Sequence, residues 1–323
     1  MKENLLVSSS PHLRGGRKTN LIMLDVIIAL MPAVIASGII FGVRALIILA
    51  ITTGTCVLSE WVCRKVMKRD NTIGDLSAVV TGILLAFNLP VSIHPVMAGI
   101  GGVVAIVVVK QMFGGLGQNF VNPALTARIV LMASFPSQMS TWYQPFYYTM
   151  DASTPDALTT ATPLGILGEG TGAPLPSYLD MFLGNTAGCL GETCALALIL
   201  GGLYLIVRRV ISPIIPLCYI ATVVIFSLIF GRDILVDLLS GGLLLGAFFM
   251  ATDYATTPIN WKGKIIFGIG CGIITMVIRI FGALPEGVSF SIILMNIVAP
   301  HVEKLTRPRA FGKARKERKK NEA

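Results

Sequence analysis

The chain has 323 residues, of which 54% are hydrophobic and only 13% charged, and its mean hydropathy is +0.76. A soluble domain carries roughly 25% charged residues, so the composition excludes a soluble globular protein and indicates a single polytopic membrane unit. The formal net charge of +9 is concentrated at the two ends, where membrane topology explains it better than nucleic-acid binding does, because positive residues stay on the cytoplasmic side.

Both ends of the chain are predicted to be cytoplasmic. Residues 1–20 contain no apolar core and the first apolar run starts at Leu21, so we expect a cytoplasmic N-terminal segment and no cleavable signal. Residues 301–323 are densely basic from Lys304 to Lys320. They predict a basic cytoplasmic tail with no role in nucleic-acid binding.

Apolar runs predict an all-α integral membrane protein with about ten transmembrane helices. Several runs are short or broken by glycine or proline, which is tolerated where helix ends line a site enclosed by protein. The predicted spans cover residues 21–41, 45–62, 76–87, 93–109, 120–134, 193–207, 211–230, 234–250, 265–281 and 288–298.

Charges between the predicted spans indicate their orientation. Basic residues follow every second span, which places all of them on one side if both termini are cytoplasmic. No lysine or arginine occurs between Arg128 and Arg208, so residues 135–192 are expected to form a long external loop. The flanking basic residues are Arg64, Lys65, Lys68, Arg69, Lys110, Arg208, Arg209, Lys262 and Lys264.

The predicted spans divide into two halves of opposite orientation, residues 21–134 and residues 193–300. A weak internal similarity supports this division, since Asp75-Leu76-Ser77 and Asp237-Leu238-Leu239-Ser240 each lead into an apolar span. Inverted repeats of this kind place a binding site at the interface between the halves.

A run of hydroxyl side chains stands out in the predicted external loop. Residues 156–164 read Asp-Ala-Leu-Thr-Thr-Ala-Thr-Pro-Leu, without any lysine or arginine. A threonine hydroxyl is a poor nucleophile, so the run indicates an attachment point for a group that brings its own chemistry. An ordinary polar loop is the alternative interpretation.

Two asparagines and one aspartate are predicted to meet at the cytoplasmic face. Asn119 and Asn122 follow a glycine-rich stretch at the start of the fifth span and, three residues apart, can share a helix face. Their amides offer donors and acceptors that suit a heteroaromatic ring, and Asp253 ends the eighth span on the same side. A helix cap with a flexible entry loop, and a loop aspartate that caps a turn, are the structural alternatives.

Four charged residues lie within or near the predicted spans. Arg128 lies roughly 13 Å into the fifth span at about 1.5 Å per residue, a depth that indicates a function or an ion pair. For Asp25 and Asp237, simple ion pairing or a position at the membrane interface is favoured over ion movement, and Arg279 is the remaining charge of this group. The six cysteines form no C-x-x-C pair and no metal site is expected. They are Cys56, Cys63, Cys189, Cys194, Cys218 and Cys271.

Over nearly its whole length the chain resembles the NqrB/RnfD family of membrane subunits. The resemblance rests on Gly-Gly-Leu-Gly-Gln-Asn at residues 114–119, Asn-Pro-Ala at 122–124 and Met-Ala-Thr-Asp at 250–253. RnfD, a subunit of the Rnf ion-translocating ferredoxin:NAD⁺ oxidoreductase complex, is favoured over NqrB of the sodium-pumping NADH:quinone reductase. The reason is that the chain lacks the extended N-terminal segment of NqrB.

The resemblance implies a covalently bound FMN. In this family the FMN is linked by a phosphoester to the last threonine of a pattern like Asp-x-x-Ser/Thr-Gly-Ala-Thr. Asp156, Thr159, Ala161 and Thr162 match this pattern, which makes Thr162 the expected acceptor. Thr160 stands where glycine is usual, so Thr159 and Thr160 are competing acceptors.

The resemblance also implies a second, noncovalent flavin, riboflavin, held by Asn119, Asn122 and Asp253. Arg128 is expected either to stabilise a reduced flavin or to pair with a buried acid. The flavins would carry the redox chemistry, and the chain itself would hold no catalytic residue, no NAD site and no iron–sulfur ligands, since it lacks the corresponding motifs.

The implied function is electron transfer across the cytoplasmic (inner) membrane of a prokaryote. Electrons would pass between ferredoxin and NAD⁺, coupled to Na⁺ or H⁺ export, in a complex with RnfA, RnfB, RnfC, RnfE and RnfG, after maturation by a flavin transferase. A channel or secondary transporter for small polar solutes is the alternative, because ten spans in inverted halves are a transporter architecture. A structural scaffold without flavin is the third interpretation.

Overall fold

The computed structural model describes residues 19–149, 159–169, 174–282 and 286–308. Within these ranges the chain is built from helices and contains no β-strand, which confirms the predicted all-α class. The helices are numbered α1 to α14 in chain order.

Four helices are long and apolar enough to cross a membrane, judged by length and composition. They agree with the first, second, ninth and tenth predicted spans, although three of them begin or end several residues beyond the predicted bounds. These helices are α1 (Thr19–Phe41), α2 (Val43–Val66), α13 (Trp261–Phe281) and α14 (Val288–Thr306).

Five further apolar helices are shorter than a membrane span requires. The shortest has 11 residues, which reach roughly 17 Å at about 1.5 Å per residue, against a hydrocarbon core of roughly 30 Å. The count of ten spans therefore stays a prediction. These helices are α3 (Ser77–Phe87), α4 (Pro95–Val103) with a π-helical continuation (Val104–Gln111), α5 (Pro123–Ser134), α9 (Ala195–Val207) and α10 (Ile214–Ile229).

The eighth predicted span is interrupted rather than continuous. It consists of α11 (Ile234–Leu239), α12 (Leu243–Leu245) and a π-helical segment (Gly246–Met250). The break occurs at Gly241 and Gly242, whose φ angles of 71° and 65° lie in the left-handed region that glycine adopts readily.

Arg279 satisfies the backbone at this break. Its guanidinium donates to the carbonyl oxygens of Asp237, Ser240 and Gly241 at 2.6, 3.1 and 3.3 Å. A broken helix is stable at membrane depth only when its free backbone groups find partners. Glycine permits the backbone angles of the break, and the Arg279 guanidinium supplies the hydrogen bonds that the free carbonyl oxygens would otherwise lack.

Between α5 and α9 the chain folds into short helices rather than an open loop. These are α6 (Pro136–Met139), α7 (Pro163–Glu169) and α8 (Tyr178–Leu183). An isolated bridge pairs Tyr143 with Thr159 inside this region. The Phe146 N–H donates to the Ile40 carbonyl of α1 at 2.8 Å, and the Tyr178 hydroxyl donates to Asp233 at 2.6 Å, so the region is tied to α1 and to the start of α11.

One apolar core extends through both predicted halves. In the first, α2 packs against α3 and α4, and in the second, α13 packs against α10 and α14. The α1–α9 and α5–α14 contacts join the halves. At the first of these, a Cβ atom on Gly201 would lie 2.1 Å from the Ala29 carbonyl oxygen, so the close approach of the helices requires glycine there.

Candidate functional site

The two asparagines and the aspartate singled out in the sequence line one cavity, which we call the amide cavity. Asn119, Asn122 and Asp253 lie around an empty space of about 810 Å³ that opens toward solvent. Its other walls are mainly apolar, and they come from α1, α3, α9 and the π-helical segment after α12. The apolar lining residues include Ile22, Val26, Val80, Leu205, Phe248 and Phe249.

Asn122 is both a helix cap and a lining residue of the amide cavity. Its side-chain oxygen accepts hydrogen bonds from the backbone of Ala124 and Leu125 at 3.0 and 3.3 Å, which caps α5, and Pro123 suits the first turn. Its amide nitrogen donates to the Met250 carbonyl at 3.4 Å. The residue thereby fixes the start of α5 against the end of the interrupted span.

Asn119 and Asp253 are held by weaker local contacts. The Asn119 amide donates to the Val121 carbonyl at 3.2 Å. The half-buried Asp253 carboxylate accepts from the Ala255 backbone and the Thr256 hydroxyl, both at 3.4 Å. The predicted turn cap is therefore present, yet bonds this long leave the carboxylate with most of its acceptor capacity.

A buried ion pair borders the amide cavity on its α2 side. Lys110 donates to both oxygens of Glu60 at 3.0 and 3.2 Å and to the Ser77 hydroxyl at 2.6 Å. The sequence suggested that Lys110 flanks a span at the membrane surface, whereas the structure leaves it only 2% exposed. Glu60, four residues before the basic Arg64, lies on α2 and turns the lysine inward.

Thr162 faces a second and smaller space, which we call the threonine pocket. Its empty volume is about 300 Å³, and Thr162, Glu192 and Glu286 all line it. The Thr162 oxygen accepts a hydrogen bond from the Gly165 backbone at 3.1 Å at the start of α7. Its side chain is buried, whereas the competing Thr159 and Thr160 are exposed.

The second part of the threonine-rich run, from Thr159 onward, is held by the chain that follows α6. Thr160 donates its backbone N–H to the Trp142 carbonyl at 3.0 Å, so the segment before α7 is anchored beside the chain that follows α6. Asp156, the acid that opens the predicted motif, lies outside the described residues.

Arg128 lies in a buried polar cluster between the halves. It is 4% exposed and forms an ion pair with Glu286, at the start of α14. It also donates to Asn88 at 2.9 Å and to Ser289 at 3.1 Å. The predicted alternative of pairing with a buried acid is the one that the geometry supports.

Glu192 and Glu286 were not singled out in the sequence. One side-chain atom from each, together with the Cys189 sulfur, lies within 4.8 Å of the others. The Glu192 carboxylate also accepts from the Cys189 backbone at 2.8 Å. Each acid stands directly before an apolar run, a pattern that could have drawn attention to both, but Glu192 is 94 residues distant from Glu286 and only the fold shows that they meet.

The remaining charges of the predicted spans take part in structural pairs. Asp25 pairs with Arg208 at 3.2 Å, and Asp237 pairs with Arg232 at 3.0 Å and with Arg279 at 3.8 Å. This agrees with the predicted preference for pairing over ion movement. All six cysteines are free thiols.

Comparisons with known proteins cover nearly the whole chain and agree on one family. A family model described as the NQR2, RnfD, RnfE family matches residues 6–312. The D subunit of the Na⁺-translocating ferredoxin:NAD⁺ oxidoreductase complex of Acetobacterium woodii is 51% identical, over 98% of both chains. Its proton-translocating counterpart from Clostridium ljungdahlii is 43% identical, also over 98% of both.

A more distant relative extends the same pattern. The D subunit of the ion-translocating oxidoreductase complex of Stutzerimonas stutzeri is 37% identical over 90% of this chain and 92% of its own. With the family model covering far more than half of the sequence, and relatives of this identity over nearly its full length, the chain belongs to the NQR2, RnfD, RnfE family.

Proposed function

We propose that this protein is an electron-carrying membrane subunit of an ion-translocating ferredoxin:NAD⁺ oxidoreductase complex. In this proposal Thr162 carries a covalent FMN and the amide cavity holds riboflavin. The observation that carries the proposal is the convergence of Asn119, Asn122 and Asp253 on one mostly apolar cavity, in a chain whose relatives are named as subunits of such complexes.

The amide cavity suits a flavin ring. Ligand sites of this kind combine apolar walls with a few convergent polar groups. The apolar side chains would pack against the ring faces, while the amides of Asn119 and Asn122 and the carboxylate of Asp253 offer donors and acceptors for its C=O and N–H edge.

The threonine pocket suits a phosphoester on Thr162. The Thr162 oxygen serves as an acceptor for the Gly165 N–H, so replacing its hydrogen by phosphorus leaves that bond in place. The pocket is smaller than the amide cavity, so it holds the attachment end of the group.

The proposal includes a path for electrons between the two sites. The flavins would supply the redox chemistry when bound, and this chain would hold them at its two candidate sites. The amide cavity adjoins the start of α5, while Arg128, further along α5, forms an ion pair with Glu286 of the threonine pocket. We propose that an external partner delivers electrons near Thr162, that the amide cavity faces the cytoplasm, and that both termini are cytoplasmic.

The family resemblance suggests the partners, and the names of the relatives bear on the coupled ion. We propose assembly with RnfA, RnfB, RnfC, RnfE and RnfG, and maturation by a flavin transferase that acts outside the membrane. The relatives are named for Na⁺ in one case and for protons in another, so the proposal includes export of either cation.

One experiment tests both flavin assignments. The complex is purified, its absorption spectrum recorded, and the protein denatured to separate covalent from released flavin. Thr162→Ala should remove flavin fluorescence from the denatured chain and keep the released riboflavin, whereas Thr160→Ala should keep both. Fluorescence that persists in Thr162→Ala would contradict the attachment site.

The amide cavity needs variants that preserve the fold. Asn122→Ser retains a residue that caps α5 but removes the amide donor, and Asp253→Asn keeps the shape of the side chain. Combined with Asn119→Ala, these changes should abolish the released riboflavin and leave the covalent fluorescence intact. An unchanged riboflavin content would exclude the cavity as its site, and a colourless wild-type protein that conducts solute would favour a transporter.

A further inference from the structure

We propose that Asn296 of α14 is a positioning residue for the amide cavity. It is not among the residues that line the cavity, yet it ties together the two chain segments that carry Asn119, Asn122 and Asp253. This inference rests on the proposed riboflavin site and deepens it, because it assigns a residue on which the affinity of that site for its ligand depends.

Asn296 is a buried amide within a helix that is long and apolar enough to cross a membrane. Its side chain is 1% exposed, and an amide buried without hydrogen bonds is costly. In the orientation that gives both amide atoms a partner, the oxygen accepts from the Asn122 backbone N–H at 3.2 Å. The nitrogen donates to the carbonyl oxygens of Thr256 and Ile292 at 3.3 and 3.2 Å.

Two of these partners lie in irregular segments of the chain. Asn122 is the N-cap residue of α5, and Thr256 lies in the turns that follow the π-helical segment after α12. Free backbone groups at membrane depth need partners, and α14 supplies one side chain for both. The bond to Ile292 stays within α14, so the other two bonds are the ones that connect the segments.

The connection reaches the polar groups of the amide cavity directly. On one side Asn122 itself lines the cavity, and on the other the Thr256 hydroxyl donates to the Asp253 carboxylate at 3.4 Å. The direct bond between the segments, from the Asn122 amide to the Met250 carbonyl, is long at 3.4 Å. Asn296 therefore contributes to the separation between the Asn122 amide and the Asp253 carboxylate.

This separation matters more for ligand binding than for folding. Hydrogen bonds weaken steeply when their distance or angle departs from the optimum, and a ligand site relies on a few polar groups that converge. A hydrogen bond between membrane helices, in contrast, contributes only modestly to stability. Loss of the Asn296 amide should thus reduce riboflavin affinity while the fold persists, which separates a positioning role from a merely structural one.

The test measures riboflavin binding to the intact purified complex. Asn296→Leu removes the donor and the acceptor and should raise the Kd for riboflavin about tenfold, with full occupancy regained at high riboflavin concentration. Asn296→Ser should have the same effect without added bulk, because a serine hydroxyl bonds back to its own helix. Samples equilibrated with graded riboflavin are denatured and the released flavin is measured, while covalent fluorescence and thermal unfolding report on maturation and fold.

Ser291→Ala is the matched control on the same helix. The buried Ser291 hydroxyl contacts Tyr219 at 3.1 Å and Thr275 at 2.8 Å, and none of these three residues lines the amide cavity. This variant should lose a similar amount of thermal stability and keep the wild-type Kd.

Three results would overturn the positioning role alone. They are a wild-type Kd in the folded Asn296 variants, a loss of riboflavin that high riboflavin concentration does not restore, and an equal rise of the Kd in Ser291→Ala. Absence of riboflavin from the wild-type complex would overturn both this inference and the proposed riboflavin site.

Discussion

At the scale of single residues, Arg128 has the most consequential contacts in the chain. Its guanidinium joins α5 to the start of α14 through Glu286 and Ser289 and to the end of α3 through Asn88. The ion pair is almost fully buried, so neither partner can be rehydrated if the other is lost. Arg128 is therefore a structural link between the halves as well as a neighbour of the threonine pocket.

Replacing Arg128 by methionine should lower the free energy of unfolding by about 3–5 kcal/mol, because the Glu286 carboxylate would stay buried without its partner. Thermal unfolding of the purified protein in detergent measures the loss. The control is Lys262→Met, an exposed cation that lies over the Trp261 ring at 5.4 Å and whose loss should cost about 1 kcal/mol or less. Equal losses in the two variants would contradict the structural role.

At the scale of elements, the interruptions of the helices are placed where the candidate sites lie. The π-helical segment after α4 ends with Lys110 and Gln111 beside the amide cavity, and the one after α12 leads to Asp253. Such π-helical turns are frequent at functional sites. The glycine break between α11 and α12 similarly borders the threonine pocket, where Gly241 packs against Leu164.

Close packing of α1 and α9 gives an element-scale prediction. Gly201→Ala would place a methyl group against the Ala29 carbonyl and force the helices apart, with an expected loss of about 1–3 kcal/mol. Gly54→Ala in α2 is the matched control, since a Cβ atom there meets nothing within 4 Å. Thermal unfolding of both variants measures the loss of stability. A Gly201→Ala protein as stable as the Gly54→Ala control would show that α1 and α9 do not pack in this way.

At the scale of the whole molecule, two compartments lie at opposite ends of one helical core. The amide cavity is lined from α1, α3, α5 and α9, whereas the threonine pocket involves the chain before α9 and the start of α14. Both halves line the amide cavity, whereas the threonine pocket is lined by the chain between α5 and α9 and by the second half. This arrangement suits a carrier that receives electrons at one face and delivers them at the other.

The proposed orientation can be tested by labelling single cysteines in intact cells. Thr160→Cys should react with a membrane-impermeant maleimide added outside, because Thr160 is exposed next to the threonine pocket. Gly74→Cys lies on the opposite, cytoplasmic side in the proposal and should react only after permeabilisation. Labelling of the unsubstituted chain gives the background, and the reverse pattern would overturn the orientation.

Sequence reasoning succeeded where the relevant information is local. Asn122 and Pro123 form a cap followed by a first turn, as the local pattern predicts. Asn119 and Asn122 both line the amide cavity, but they precede α5, so the prediction that they share a helix face was wrong. Lys110 was judged by its position beside an apolar run, and its burial was missed. The pairing of Lys110 with Glu60 depends on how α2 packs against the π-helical segment, which no local pattern encodes.

The sequence by itself determined the class of the protein, because hydropathy decides which segments leave water and the charge pattern predicts how they are oriented. It also determined the candidate polar residues, since Asn119, Asn122, Asp253 and Thr162 stand out in an apolar chain. Only the tertiary structure decided which charges meet. Glu192, Glu286 and Arg128 come from three distant segments, and the buried cluster that they form, with its Arg128–Glu286 ion pair, exists only because packing brings all three together and excludes water.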